Sequence, residues 1–156
     1  MHWNSLKLMR YFRDHYLSQI KGCTVLDIGA MKVNNQHRSY RELFELDYKY
    51  TGMDLAAGPN VDIVGYENIL TIYDVVISGQ VMEHIKYPWE WLRELKKYYE
   101  TYICIIAPNR GGEHRYPIDT YRFYPDGMKA LFEYAGIIGI EIFDKKDDTI
   151  GIGSKK

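Results

Sequence analysis

Two runs constrain this chain more than any other feature: "YDVVISG" at 73–79 and "TYICIIAP" at 101–108. Both are apolar through their middle with no polar alternation, as strands covered on both faces must be. Such strands need helices on either side, and the rest of the sequence supplies them. Met9, Phe12, Tyr16 and Ile20 are spaced 3, 4 and 4, a helical stripe closed by Gly22. Tyr40, Leu43 and Phe44 mark a second helix. Pro88 opens a third, carrying Leu92, Leu95 and Tyr99, and Pro125 a fourth, with Met128, Leu131, Phe132 and Ala135 on one face and Gly136 as its stop. Between them lie three further short strands, "TVLDI", "KYTGMDL" and "VDIV", the last two separated by the turn "AAGPN". The tail "IGIEIFDKKDDTIGIGSKK" reads as two strands joined by a charged turn.

Strand and helix alternation predicts an α/β chain: a three-layer sandwich around a mostly parallel sheet with right-handed crossovers, ending in an antiparallel hairpin. A chain of 156 residues with 46% hydrophobic content makes one domain with a sizeable core. It divides into an N-terminal helix (1–22), a core (23–110), and a loop, helix and terminal hairpin (111–156). The net charge of -1 argues against a protein that coats nucleic acid. Charges run through the N-terminal residues, so they do not read as a signal peptide, and no apolar run approaches membrane-spanning length. Cys23 and Cys104 sit beside or within apolar runs and form no metal-type or redox-type pair, which fits reduced thiols in the cytoplasm.

In such a sheet, ligands bind beyond the C-terminal strand ends. Asp27 and Gly29, Asp54, Ser78 and Gly79, and Pro108 and Asn109 all fall there. A strand-end glycine permits close backbone approach. Asp27 can accept hydrogen bonds from a cationic ligand group or from the loop's own amides. Asp54, some 25 residues after the glycine turn, is placed for the two hydroxyls of a ribose, or is a solvated turn aspartate. With no G-x-G-x-x-G there is no pyrophosphate cradle, so a dinucleotide enzyme is a poor reading.

"VLDIGA", "YKYTGMDL", "YDVVISGQVMEHI" and "YICIIAP", in this order, resemble the motifs of class I S-adenosylmethionine-dependent methyltransferases. The "MEHI" segment is similar to the "LEH" signature of their small-molecule branch. "HRYPIDTYRFYPDGMKALFEYAGI" resembles the ending of a bacterial subgroup associated with glycan biosynthesis. The resemblance runs from Thr24 to Gly136 and implies a Rossmann-like fold, S-adenosylmethionine as cofactor, and a small-molecule or glycan acceptor.

It also implies residue roles. Asp27, Gly29 and Ala30 would line the methionine moiety, with "MKVNNQ" standing in for missing loop glycines. Asp54 would bind the ribose and Leu55 the adenine, with Tyr66 or Glu67 nearest for a further adenine contact. Gly79 and Gln80 would flank the sulfonium. Three departures are plain: a single loop glycine, almost no helix between the second and third strands, and "KKYYETY" in place of a glycine turn before the fifth.

Transfer to a hydroxyl needs a base. The candidates are His84 and His114, with Asp119 nearby. For His84 the alternative is a structural role. Tyr116 and Tyr121 can stack on a sugar face or pin the loop. Arg122 can bind an acceptor's phosphate or carboxylate, or pair with Asp119. Glu83/His84 and Glu113/His114 are metal-ligating types, but nothing in their spacing demands an ion, and no metal is expected. The competing functional reading is a non-catalytic S-adenosylmethionine-binding module or partner subunit.

Overall fold

The computed structural model describes residues 3–33 and 38–155. Seven strands form one sheet: β1 (Thr24–Ile28), β2 (Lys49–Asp54), β3 (Ile63–Val64), β4 (Tyr73–Gly79), β5 (Tyr99–Pro108), β6 (Ile138–Lys145) and β7 (Asp148–Ser154). Their order is β3-β2-β1-β4-β5-β7-β6. β1 to β5 are parallel, whereas β7 runs antiparallel between β5 and β6. The helices are α1 (Trp3–Phe12), α2 (Arg41–Phe44), α3 (Pro88–Leu95) and α4 (Pro125–Ala135). The three-layer α/β sandwich expected from the sequence is therefore present, with its C-terminal hairpin.

The central strands are apolar on both sides because each face has its own core. Leu26, Ile28, Val76, Ile103 and Ile105 face Leu92 and Leu95 of α3 and Met128 and Phe132 of α4. Val25, Val75, Ile77, Cys104 and Ile106 face Leu8, Met9 and Phe12 of α1 and Phe44 of α2. β7 divides its residues more sharply. Ile150 and Ile152 join the α1 side, while Gly151 lies under α4, where a β-carbon would come within 2.8 Å of Met128 Cγ and Phe132 Cζ. The "IGIG" alternation thus lets one helix seat close to the strand.

Local signals hold at most element ends. Pro88 and Pro125 occupy the first turns of their helices, and Gly136 ends α4 at φ 67°, ψ 32°, in the left-handed region. Tyr124 before α4 makes no side-chain cap. The first helical stripe is less regular than its spacing suggests: α1 stops at Phe12 and the chain continues as a wider π turn over Arg13–Leu17. The third strand is reduced to two residues, Ile63 and Val64, beside the end of β2. Trp91 is buried, its Nε1 donating to Tyr66 Oη at 2.7 Å. Among the described residues no helix is long and apolar enough to cross a membrane.

Candidate functional site

The parallel strands place Ile28, Asp54, Gly79 and Pro108 at one edge, and the reversed β7 brings Asp148 to the same edge, opposite Pro108. Two groups of polar residues gather there.

The first surrounds the turn after β1. Gly29 has φ 80°, and a β-carbon on it would overlap Cγ2 of Val81. The glycine is thus required by backbone conformation and by the close passage of the loop after β4. The amides of Gly29 and Ala30 both donate to Met53 O, at 2.9 and 3.0 Å, and that of Lys32 to Pro59 O at 3.1 Å. Asp54 uses Oδ2 to accept from Met31 N at 3.0 Å and Oδ1 from Leu55 N at 2.7 Å. The turn is therefore closed on β2 and its following loop, and Asp54 holds it shut. Each Asp54 oxygen retains a further lone pair. Leu55 beside it is exposed, and Gly65 N donates to Asp54 O at 2.9 Å, bringing the single helical turn Tyr66–Asn68 alongside. Asn34, Asn35 and Gln36, the polar part of "MKVNNQ", lie outside the described residues.

Asp27 is buried behind this turn. It accepts a hydrogen bond from Tyr50 Oη, and burial pushes its carboxyl up to about 7. Asn60 Nδ2 donates to Ala30 O at 2.7 Å and to Tyr50 Oη at 3.3 Å. Arg41 reaches Asn60 Oδ1 at 2.7 Å and Asp62 Oδ2 at 2.5 Å, and lies over the Tyr50 ring. Among the described residues, the turn amides of Gly29, Ala30 and Lys32 donate elsewhere, and Asp27 accepts from the Tyr50 phenol. Tyr50 carried no pattern that marked it.

Gly79 and Gln80 end β4. The Tyr40 hydroxyl lies where a Gly79 side chain would be and hydrogen-bonds Ser5 Oγ at 2.5 Å. Gln80 is left-handed at φ 62° and donates from Nε2 to Asp148 Oδ1 at 2.9 Å. Among the described residues, its Oε1 and the Nδ2 of Asn109 are buried with no hydrogen-bond partner. An unpartnered acceptor and an unpartnered donor on one edge suit a zwitterionic amino-acid end. Together with the Asp54 oxygens, these residues fit S-adenosylmethionine at both its polar ends.

The second group is built on the single 3₁₀ turn Met82–His84 and the long loop after β5. Thr120 stitches them together, its N and Oγ1 both donating to Glu83 O at 2.8 Å. His84 Nδ1 lies 2.6 Å from Ile118 O, which fixes the proton on Nδ1 and leaves a lone pair on Nε2. His114 approaches it with ring centroids 4.9 Å apart, nearly perpendicular, and Tyr116 borders both rings. Both Nε2 atoms lie 3.7 Å from Glu83 Oε1. Glu83 is fully buried and neither of its carboxylate oxygens accepts a hydrogen bond among the described residues. Burial pushes its carboxyl up to about 8 and His84 down.

Asp119 accepts from His114 N at 2.6 Å and from both terminal nitrogens of Arg122, at 2.6 and 2.7 Å. The Arg122 fork holds that carboxyl far below its ordinary range. Of the two roles open to Arg122, the structure shows the pairing with Asp119. Tyr121 is exposed, its hydroxyl 3.5 Å from Lys86 O. Glu113 turns away and pairs with Arg115 at 2.7 Å. The predicted base candidates His84, His114 and Asp119 thus converge. Glu83, absent from that set, lies within 3.7 Å of both imidazoles; the sequence marked it by its place in "MEHI" and as a residue of metal-ligating type beside His84.

No protein-family model matches the chain, and no curated protein matches it. Solved structures do. The N-terminal domain of EvdMO1 with S-adenosylhomocysteine bound superposes with TM-score 0.67 at 14% identity, covering 100% of this chain and 83% of that one. The 1,6-didemethyltoxoflavin-N1-methyltransferase of Burkholderia thailandensis, with its substrate and S-adenosylhomocysteine bound, gives TM-score 0.72 at 14% identity, covering 97% and 78%. Magnesium protoporphyrin IX methyltransferase of Synechocystis PCC 6803, with bound S-adenosylmethionine, gives 0.64 at 14%, covering 98% and 79%. The chain therefore has the Rossmann-like fold of S-adenosylmethionine-dependent methyltransferases.

Proposed function

We propose that this protein is an S-adenosylmethionine-dependent methyltransferase acting on a small acceptor, a hydroxyl of a sugar or glycan precursor. The observation that carries this reading is the meeting of His84 and His114 at the buried Glu83, which with His84 follows the Gly79–Gln80 edge closely in the chain. Asp54 would hold the ribose, Leu55 the adenine, and Asp27, Gly29, Ala30, Gly79 and Gln80 the methionine and sulfonium side. When bound, the cofactor supplies an electrophilic methyl group. The chain's own residues orient the acceptor and take its proton. The Nε2 lone pair of His84, set by the Ile118 carbonyl, suits that proton. His114 is the second acceptor for it, carried on the loop that Asp119 and Arg122 hold in shape. Tyr116 and Tyr121 would wall the acceptor, their exposed rings suiting a sugar face. The free cysteines Cys23 and Cys104 accord with a cytoplasmic setting.

A non-catalytic module is the second reading. It is favoured by the closed β1 turn, whose amides are taken by Met53, Asp54 and Pro59, and by the Tyr40 ring against Gly79. Calorimetry with S-adenosylmethionine and S-adenosylhomocysteine tests the cofactor: saturable binding is expected, and none at millimolar concentration refutes both readings. Methyl transfer to a panel of sugars and sugar nucleotides then separates them. Transfer that His114→Ala abolishes supports the enzyme, whereas cofactor binding without transfer across the panel supports the module.

A further inference from the structure

We propose that Glu83, His84 and His114 form a binding site for a divalent transition-metal ion of the zinc type. The site deepens the acceptor side of the function proposed above: with the ion bound, His84 and His114 serve as its ligands instead of taking the acceptor's proton themselves, although metal binding itself does not depend on methyl transfer. One carboxylate oxygen and one nitrogen from each histidine lie within 4.8 Å of one another. The two imidazole-to-Glu83 separations are 3.7 Å. Ligand atoms of a tetrahedral zinc site with bonds of about 2.0–2.1 Å stand about 3.4 Å apart, so both pairs are within a few tenths of an ångström of that spacing.

The orientation of the rings is the second observation. A metal-bound histidine presents one nitrogen to the ion and gives the other's N–H to a carbonyl or carboxylate. His84 is arranged that way through a hydrogen bond, and His114 more loosely, its second nitrogen facing a carboxylate beyond hydrogen-bond distance. His84 Nδ1 faces the Ile118 carbonyl at 2.6 Å, and His114 Nδ1 faces Asp119 Oδ2 at 3.6 Å, so both Nε2 atoms point to Glu83. Asp119 is in turn fixed by the Arg122 fork.

The third observation is Glu83 itself. A fully buried carboxylate with both oxygens unpartnered is costly unless a cation meets it. Arg122 spends its terminal nitrogens on Asp119, Tyr121 O and Gly112 O. Two imidazoles and one carboxylate favour zinc, iron or cobalt over magnesium or calcium. Three protein ligands leave a position open, which an acceptor oxygen would take, its hydroxyl made more acidic by the ion.

The test is titration of tag-free, chelator-treated protein with Co2+, read by visible absorption, and with Zn2+, read by calorimetry. One ion per chain is expected for each metal, with d–d bands of a low-coordinate nitrogen–oxygen site for cobalt. Glu83→Gln and His114→Ala should each lose saturable binding. Asp119→Asn should weaken it about 10–100-fold. Zn2+ should raise the melting temperature of the wild type and leave that of Glu83→Gln unchanged. Because Glu83→Gln alters a buried group, His114→Ala on the half-exposed loop provides the independent variant. Absence of one-to-one binding in the wild type overturns the inference, as does binding that survives both substitutions. S-adenosylhomocysteine titrated into the metal-free protein reports on the cofactor separately, so either proposal can fail while the other stands.

Discussion

Replacing Gly29 with alanine adds one methyl group at the position where the turn after β1 meets the loop after β4. Two costs follow from the geometry. At φ 80° an L-residue pays about 1–2 kcal/mol. The added β-carbon would also overlap Cγ2 of Val81 and stand 3.3 Å from its Cβ and Cγ1. Valine is β-branched and cannot swing all three carbons away, so overpacking adds about 1–3 kcal/mol. The sum, about 2–5 kcal/mol, is a large part of the stability of a domain this size.

Val81→Ala should cost about 1–2 kcal/mol alone, for the lost methyls. In the double variant the overlap with Cγ2 disappears, while the 3.3 Å contact with Cβ and the backbone strain stay. Gly29→Ala should therefore be partly rescued, with a coupling of about 1–3 kcal/mol. Urea unfolding of the four proteins measures this cycle. Gly29→Ala within about 0.5 kcal/mol of wild type would refute the reasoning, as would strictly additive single and double variants. The cycle also makes any loss of cofactor affinity interpretable, since Gly29→Val alone disturbs the fold and the site together.

Asp27, held near 7 when folded against 3.8 ordinarily, binds a proton more readily in the folded state. Its contribution to stability is thus full below about pH 4 and is lost as pH rises toward 7; Asp27→Asn should flatten that part of the stability profile, and an unchanged slope would exclude Asp27 as its source. Asp54→Asn keeps one amide acceptor and loses the charge. It should weaken S-adenosylhomocysteine binding by about 1.5–3 kcal/mol in calorimetry, whereas unchanged affinity would remove Asp54 from the ribose site. Gly151→Val forces side-chain atoms into Met128 and Phe132, so chemical denaturation should show a loss of about 1–3 kcal/mol. Its S-adenosylhomocysteine affinity should stay near wild type, because the clash lies under α4.

Much of this protein is legible in its sequence because the signals concerned are local. Apolar runs such as "YDVVISG" require cover on both faces, and Pro88, Pro125 and Gly136 mark element ends through their own backbone constraints. The strand ends that carry Asp27, Gly29, Asp54 and Gly79 follow from that pattern, and His84 and His114 stand out as titratable residues beside it. What the sequence could not show is which groups meet. Asp27 binds Tyr50, a partner 23 residues away whose hydroxyl looks like any other among 15 tyrosines. Gly29 is fixed by Val81 and Gly79 by Tyr40, contacts set by the packing of loops and helices over the sheet. Spacing alone gave no reason to join Glu83 to His114, because 31 positions separate them. Only the return of the β5 loop, tied down through Thr120 and Ile118, brings both imidazoles to one buried carboxylate. The sequence by itself determined the layers and which residues end the parallel strands, since those depend on periodicity and chain geometry. The tertiary structure decided the chemistry at those ends, because charge, burial and hydrogen-bond partners belong to residues that only folding brings together.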